Sequence, residues 1–352
     1  MTPLARLLAD RIATGGPLTL AEFMADCLLH PRHGYYATRD PLGAAGDFTT
    51  APEISQMFGE CLGLCLAQAW IDQGAPSAAI LAELGPGRGT LMADVRRATR
   101  RVPGFHDALS VHLVEASPTL RAEQAKRVPG AIWHDRVDTL PEGFLLLLAN
   151  EFFDALPIRQ FVRAGSGWSE RVVGLEGDRM AWGLLPPAPQ PALSDRLADT
   201  REGDVVETCP ALPPIMGEVG RRIGTHGGAA LVIDYGDWRL TGDTFQAVAR
   251  HAFADPLDAP GEADLTAHVD FETLARAAVP ARATAIVSQG DLLERLGIGQ
   301  RAQVLARGLE GERLAAHLEA HRRLTLPEEM GTLFKAMAFH PSSAPPPPGF
   351  AP

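Results

Sequence analysis

The segment from Ala78 to Val95 constrains the fold of this chain more than any other stretch. It reads A-A-I-L-A-E-L-G-P-G-R-G-T-L-M-A-D-V, an apolar run followed by Glu83, a loop containing Gly85, Gly87 and Gly89, and residues that can form a helix. Glycines let the backbone reverse sharply and lie close to a ligand, because no Cβ stands in the way. The segment predicts the strand–loop–helix opening of a nucleotide-binding unit, with an ordinary tight turn as the alternative.

Apolar runs and helical patterns alternate along the chain in the order expected for a doubly wound sheet. The run Phe144–Ala149 is apolar throughout, which is typical of a parallel strand covered on both faces. Together with Ala78–Ala82, the predicted strands are Ser110–Val114, Ala131–Trp133, Phe144–Ala149 and Ala229–Ile233, and the predicted closing strands are Thr284–Ser288 and Leu333–Phe339. We therefore expect an α/β protein with a Rossmann-like sheet.

Changes in pattern predict five regions. They are N-terminal helices with an irregular loop at 1–75, the first half of the sheet domain at 76–157, an inserted subdomain of short antiparallel strands and a helix at 158–228, the second half with the closing strands at 229–340, and a disordered Pro-rich tail at 341–352. A loop as long as the one from His30 to Glu53 is more often functional than connecting.

Composition excludes some classes of protein. A net charge of -11 over 352 residues disfavours a nucleic-acid partner, because phosphate binding relies on clustered Lys and Arg. The four cysteines form no CxxC pair and no metal-like group with histidine, so we expect no metal and a reduced compartment. No apolar run reaches the length of a membrane span, and the N-terminus lacks a signal-peptide core. These features predict a cytoplasmic protein without membrane insertion.

Acids at the predicted strand ends indicate which cofactor the loop takes. Glu115 ends the second strand, where a carboxylate can accept both hydroxyls of a ribose. No Walker lysine follows the glycines, so a triphosphate site is disfavoured. NAD and S-adenosylmethionine both need glycines and a ribose-binding acid, but a pyrophosphate is disfavoured beside an acid such as Glu83. The cationic cofactor S-adenosylmethionine fits these residues better than NAD.

Several motifs then resemble one family. E-L-G-P-G-R-G-T resembles motif I of class I methyltransferases, and H-P-x-x-G-Y-Y, G-D-F-T-T-A-P-E, A-N-E-F-F-D-A-L-P, I-D-Y-G and D-L-T-A-H-V-D-F occur with it in the order of the MidA family. The resemblance spans roughly His30 to Phe339. Mitochondrial members of that family are protein arginine methyltransferases needed for assembly of respiratory complex I. The resemblance implies a class I methyltransferase sheet of seven strands, the last of them antiparallel.

The resemblance also implies roles for individual residues. The glycines face the methionine part of the cofactor, Glu115 takes the ribose, Asp135 lies on the adenine side, and Asn150 and Glu151 lie where this superfamily places substrate-facing residues. The predicted cofactor contacts are Glu83, Gly85, Pro86, Gly87, Gly89, Glu115, Asp135, Asn150 and Asp47. No position in the motifs departs from the family pattern.

Carboxylates are expected to hold the substrate, because a guanidinium pairs with them in bidentate fashion. The predicted catalytic residues are Glu151, Asp154, Asp264 and His268, and the predicted substrate contacts are Glu53, Tyr35 and Phe48, with Tyr36 beside them. Each has a structural alternative. Asp154 could end a turn, His268 could simply begin a helix, and the aromatic residues could be packing residues. Thr50-Ala51-Pro52-Glu53 also fits a capping box, in which Glu53 caps a helix.

The leading hypothesis is a methyltransferase that acts on an arginine of a partner protein, with a respiratory complex I subunit as a candidate. The first alternative is a methyltransferase for a small molecule or another nucleophile. The second is an assembly chaperone that binds the cofactor without turnover. A nicotinamide oxidoreductase is disfavoured by the glycine spacing and by Glu83. Sequence does not predict the target protein or the oligomeric state.

Overall fold

The computed structural model describes residues 1–38, 50–249 and 252–351, which fall into two compact units. The sheet unit consists of Thr49–Phe153, Pro213–Trp238 and Phe271–Pro352, and the insertion unit consists of Met1–Phe48, Asp154–Leu212 and Arg239–Asp270. The boundaries of these units differ from those of the predicted regions. The N-terminal helices share a unit with the insertion, whereas residues 213–228 belong to the sheet unit.

The sheet unit contains the predicted parallel sheet. Its strands are β1 (Ala79–Leu84), β2 (Leu109–Val114), β3 (Ile132–His134), β4 (Leu145–Asn150), β5 (Gly228–Asp237), β6 (Arg282–Ala283), β7 (Val287–Ser288) and β8 (Phe334–His340). Along the described residues the order is β6-β8-β5-β4-β1-β2-β3, and β7 pairs with β8. The neighbouring strands β3, β2, β1, β4 and β5 run parallel to one another, and β8 is antiparallel to β5. The α/β fold with an antiparallel closing strand is confirmed.

Helices connect these strands. They are Ala51–Ile54, Gln56–Asp72, Thr90–Ala98, Phe105–Ala108, Pro118–Arg127, Leu212–His226, Phe271–Ala277, Gln289–Arg295, Ile298–Ala306 and Gly311–Thr325, with 3₁₀ turns at Thr99–Arg101 and Val137–Thr139 and a π turn at Pro327–Gly331. Every residue of β4 is buried, as its apolar sequence predicts. A fully buried Leu contributes about 1.5–3 kcal/mol, so β4 anchors the core. No helix among the described residues combines the length and apolar character that crossing a bilayer requires.

Two expectations for this unit are wrong. Thr50 makes no side-chain cap, and the long helix begins instead at Gln56, where Ser55 accepts the N–H of Met57. The Pro-rich segment after 340, predicted to be disordered, contacts the core at Phe350. Phe350 is buried there, and the Cys65 thiol donates to the carbonyl of Pro348 at 3.3 Å. One buried aromatic ring supplies the apolar contact that composition alone did not reveal.

The insertion unit contains antiparallel sheets. The strand Gly167–Glu176 pairs with Leu18–Thr19, Arg159–Ala164 and Arg179–Leu184, and Val205–Thr208 joins Arg159–Ala164. A small sheet has the order Ala252–Ala254, Gln246–Ala249 and Asp264–Thr266, and Val269–Asp270 is also extended. The helices are Pro3–Gly15, Leu20–Leu29 and Tyr35–Thr38, with a 3₁₀ turn at Pro191–Leu197. The antiparallel strands predicted here are confirmed.

Candidate cofactor and substrate site

The glycine loop follows β1 directly and leads into the helix Thr90–Ala98. Gly85, Gly87 and Gly89 have φ values of 59°, 52° and 82°, a left-handed conformation that favours glycine. A Cβ on Gly85 would also stand 2.9 Å from Cδ2 of Phe152. Gly89 is the N-cap residue of the helix and offers no side-chain cap. Glycine at these positions places no side chain between the loop backbone and a ligand, as a cofactor loop requires.

Glu83 lies at the end of β1 and is only 3% exposed. Its carboxylate accepts the backbone N–H of Met92, so it serves as the cap that Gly89 cannot provide. Burial, with a smaller contribution from the charge of Glu115, raises the pKa of Glu83 to about 8. Its Oε2 atom is buried without a hydrogen-bond partner among the described residues. A buried carboxylate in this state favours a cationic, hydrogen-bond-donating ligand.

Glu115 follows β2 and is held in place by two donors. Its Oε1 accepts the N–H of Ser117 at 2.8 Å, and its Oε2 accepts Nε2 of Gln124 at 3.2 Å. Gln124 is fully buried; the same Nε2 donates to the carbonyl of Gly87 at 2.7 Å, and its Oε1 accepts the indole N–H of Trp133 at 2.8 Å. Gln124 thus links the glycine loop to the predicted ribose acid. Gln124 was not predicted from the sequence, because it lies within the helix Pro118–Arg127 and belongs to no motif.

Asp135 follows β3, as predicted, but it is largely exposed. Its Oδ1 forms an ion pair with Nη2 of Arg121 at 2.5 Å, and its side chain is 79% exposed. Arg121 also donates to the backbone carbonyls of Glu115 and His134, so it joins the ends of β2 and β3. The assignment of Asp135 to the adenine side of the cofactor stays a prediction.

Asn150 and Glu151 lie at the end of β4. Glu151 is half-buried and adopts φ 51°, a strained conformation for a residue with a side chain. Its Oε1 accepts Nδ2 of Asn150 at 2.9 Å and the N–H of Ala51 at 3.4 Å. Burial raises the pKa of Glu151 to about 7. Oδ1 of Asn150 is a second buried atom without a partner among the described residues.

Two neighbours of this strand end received no specific role from the sequence, although Asp234 is one of the acids that end the predicted strands. Asp234 on β5 is fully buried and accepts the N–H groups of Phe153 and Tyr235, both at 2.9 Å, so it fixes the chain just after Glu151. Thr90 donates its hydroxyl to Oε1 of Glu53 at 2.5 Å. Glu53 is therefore tied to the start of the helix after the glycine loop. The predicted residues Asp47 and Phe48 lie outside the described residues.

The remaining predicted residues belong to the insertion unit. Asp154 and Asp264 are both buried there, and the backbone N–H of Ala267 donates to the carbonyl of Asp154 at 3.0 Å. The hydroxyl of Tyr36 donates to Oδ1 of Asp264 at 2.9 Å. Burial, Asp264 and Asp154 together hold the pKa of Tyr36 well above its usual range. The structure thus brings Asp154 and Asp264 near one tyrosine.

His268 and Tyr35 have simpler surroundings. The backbone N–H of His268 donates to Oγ1 of Thr244 at 2.8 Å, and the Thr244 hydroxyl in turn donates to Glu207. The ring of Tyr35 is fully buried in the apolar core of the insertion unit and meets the ring of Tyr36 edge-on. Complete burial favours the packing alternative for Tyr35.

The sheet unit fits S-adenosylmethionine. Oε2 of Glu83 and Oδ1 of Asn150, both buried without a partner among the described residues, lie at the carboxyl ends of neighbouring strands, which is where ligands bind in open parallel sheets. Glu115, held by its two donors, is suited to ribose hydroxyls. When bound, this cofactor supplies an electrophilic methyl group on a sulfonium. A Rossmann-like sheet with this strand order and this set of acids defines a class I methyltransferase.

Comparisons with known proteins agree with that class. Residues 61–287 match the family described as "Putative S-adenosyl-L-methionine-dependent methyltransferase". The human and mouse proteins named "Protein arginine methyltransferase NDUFAF7, mitochondrial" are 37% and 38% identical over 97% of this chain, covering 84% and 85% of their own lengths. A crystal structure of a COG1565 superfamily member from Burkholderia thailandensis bound to S-adenosyl-homocysteine is 29% identical, with a TM-score of 0.82 over 96% of this chain and 91% of that chain.

The chain belongs to this family of S-adenosylmethionine-dependent methyltransferases. The match confirms the predicted family, cofactor and enzyme class. The predicted cytoplasmic location is wrong as a general assignment, because the curated relatives are named as mitochondrial proteins. The cysteine pattern and the composition of the first residues were an insufficient basis for that expectation.

Replacing Glu83 by Gln should separate stability from cofactor binding. The pKa of Glu83 rises from 4.5 to about 8 in the folded protein, so its contribution to stability is complete below pH 4.5 and is lost as the pH rises to about 8. Gln cannot lose a proton, so the variant should gain Tm over the wild type at pH 8 but not at pH 4.5. Affinity for S-adenosylmethionine at pH 8 should fall about tenfold or more, because Gln cannot supply the carboxylate charge that would pair with the cationic cofactor.

Thermal unfolding of the cofactor-free protein at both pH values and calorimetric titration with S-adenosylmethionine measure these effects. The exposed Glu312 provides a matched control, since Glu312→Gln should change neither quantity. A Tm difference that is the same at both pH values, or unchanged affinity, would contradict the assignment of Glu83.

Proposed function

We propose that this methyltransferase transfers the methyl group to an arginine side chain of a partner protein. The carrying observation is Glu151, a half-buried carboxylate at the end of β4 whose carboxylate contacts among the described residues are Asn150 and Ala51. A guanidinium would supply a positive charge and a pair of donors in the geometry that a carboxylate accepts. Relatives at 36–38% identity over 93–97% of the chain are named protein arginine methyltransferases, which supports the same substrate class.

The chemistry asks little of the protein beyond alignment and exclusion of water. A guanidinium nitrogen attacks the methyl carbon in line, the carbon–sulfur bond breaks, and one proton leaves the substrate nitrogen. An Arg pKa above about 12 means that this proton leaves with the transfer rather than before it. Glu151 can orient the nitrogen through its carboxylate and take up the proton at Oε1 or Oε2, because its pKa of about 7 lies close to neutral pH.

Asp154 and Asp264 remain proposed companions in holding the guanidinium, and His268 remains a proposed proton carrier. Asn150 is proposed to keep Glu151 in position through its 2.9 Å hydrogen bond. The resemblance to the MidA family makes a subunit of respiratory complex I the first substrate to examine. A small-molecule methyltransferase and a cofactor-binding assembly factor are the alternatives that the test must separate.

The test uses the full chain with methyl-labelled S-adenosylmethionine and a cell lysate. We expect label in a protein band, and acid hydrolysis of that band should release labelled methylarginine. Label found only in small molecules would favour the first alternative. Tight cofactor binding without labelling of any fraction would favour an assembly factor. A chain carrying Gly89→Val, which blocks the left-handed loop, is the background control.

A further inference from the structure

We propose that the free edge of the strand Arg179–Leu184 docks an extended, arginine-containing segment of the protein substrate. The proposal rests on the proposed function, because it takes the occupant to be part of the methylated protein. All residues that carry the inference lie in the insertion unit. We call the surface formed by this strand and the adjacent aspartates the edge groove; its members are Asp178, Trp182, Leu184, Asp255 and Asp258.

The first observation is the open backbone edge. Among the described residues, Arg179–Leu184 pairs with one strand, Gly167–Glu176, along its full length from Arg179 to Leu184. The other edge therefore presents N–H and C=O groups that no described strand takes up. Exposed sheet edges are templates for adding a further strand, and natural proteins commonly shield them unless they bind a partner there.

The second observation is apolar exposure on this strand. Trp182 is 41% exposed and Leu184 is 57% exposed, and the two lie on the same face because strand side chains alternate. Leu185, just after the strand, is 38% exposed. The ring of Trp182 meets the ring of Phe245 edge-on, with the ring centroids 6.0 Å apart. Such a cluster on an open edge is typical of an interaction surface.

The third observation is charge. A cavity of about 460 Å³ adjoins the strand, and its lining includes Trp182 and the carboxylates of Asp178, Asp255 and Asp258. One guanidinium, Arg179, lies among them and approaches Asp258 only to 4.0 Å, with both side chains mainly exposed. Carboxylates therefore outnumber cations here. The cavity complements a cationic segment, and an extended segment with arginine at alternate positions would present every guanidinium to the same side.

Peptide binding tests the proposal directly. The probe is a fluorescent peptide of alternating valine and arginine, compared with the same peptide carrying citrulline, an uncharged analogue, in place of arginine. Fluorescence polarisation with the full chain should give about tenfold tighter binding of the arginine peptide, as expected for several exposed ion pairs. The triple variant Asp178→Asn, Asp255→Asn, Asp258→Asn should lose that difference, and Trp182→Ala should weaken both peptides.

A matched control removes the same charge elsewhere. Glu310, Glu312 and Glu319 lie at or within the helix Gly311–Thr325 and are exposed, and their triple change to Gln should leave peptide binding as in the wild type. Equal losses in the two triple variants would overturn the proposal, because net charge alone would then explain binding. A dimer of the wild-type chain that Trp182→Ala dissociates would also overturn it, since a second copy would be the occupant.

Methylation separates this proposal from the function on which it rests. With a protein substrate and methyl-labelled cofactor, the aspartate triple variant should raise KM about tenfold and leave kcat unchanged, because these aspartates are not among the groups proposed to act on the reacting nitrogen. An unchanged KM would refute docking and keep arginine methylation. Absence of methylarginine in the wild type would refute the proposed function, whatever the peptides do.

Discussion

Glu151→Gln is expected to lower kcat for arginine methylation by about 10²-fold or more, which is the usual scale for removing a general base. Gln keeps the size of the side chain and its contact with Asn150, but it cannot accept the proton that leaves the substrate. Binding of S-adenosylmethionine should remain within about twofold of the wild type, because the proposed cofactor contacts are intact. Single-turnover methyl transfer and calorimetric titration measure the two quantities.

The pH dependence of kcat/KM provides a second test of Glu151 as the base. Burial raises the pKa of Glu151 to about 7, and the ionised form is the one that accepts a proton. For the wild type, kcat/KM should therefore rise about tenfold per pH unit below pH 7 and level off above it. The Gln variant should lose this limb of the profile. An unaltered profile, or an unaltered kcat, would exclude Glu151 as the base.

Backbone strain offers a second variant at the same position. Glu151 has φ 51°, which a residue with a Cβ adopts at a cost of about 1 kcal/mol or more. Glu151→Gly removes that cost as well as the carboxylate, so it should unfold at the same or a higher temperature than the wild type while losing activity. Loss of activity together with loss of stability would indicate a structural role instead. Glu312→Gln, at an exposed position in the first turn of the helix Gly311–Thr325, is the control.

The sequence predicted the parts of this protein that depend on local pattern. Glu83 and Glu115 could be placed because each ends a strand, and the carboxyl ends of parallel strands share one edge of the sheet. The glycines could be placed because three of them within five residues demand a special backbone. The apolar run of β4 identified a central strand, since only burial on both faces explains such a sequence.

Contacts between distant segments could not be read in the same way. Gln124 donates hydrogen bonds to Gly87 and Glu115. The sequence pattern predicts the helix that carries Gln124, but not these two contacts. Thr50-Ala51-Pro52-Glu53 satisfies the capping-box pattern, yet Glu53 accepts from Thr90, which is 37 residues away in the sequence. Phe350 enters the core from a segment with a disordered composition. In each case a tertiary partner decides the conformation, and a local pattern does not contain it.

Two glycines of the helix Leu212–His226 also depend on a tertiary contact that the sequence does not reveal. Replacing them by Ala is expected to have opposite effects on stability. A Cβ on Gly220 would lie 1.8 Å from the carbonyl oxygen of Ala278 and 2.4 Å from its carbon, both backbone atoms that cannot turn aside. A Cβ on Gly217, one turn earlier, would lie 3.7 Å from the carbonyl oxygen of Ala277, an ordinary contact. Helix propensity alone would make both substitutions by Ala favourable by about 1 kcal/mol.

Gly220→Ala is therefore expected to destabilise the protein by about 3 kcal/mol or more, because the helix must move away from the segment around Ala278 and break its packing. Gly217→Ala should be neutral or stabilising by up to about 1 kcal/mol, since it gains helix propensity without a clash. Denaturant unfolding of both variants measures the difference. Equal stability of the two would mean that the helix does not approach Ala278 as closely as the structure shows. Opposite signs at two glycines three residues apart would establish that a tertiary contact, rather than helix propensity, selects glycine at 220.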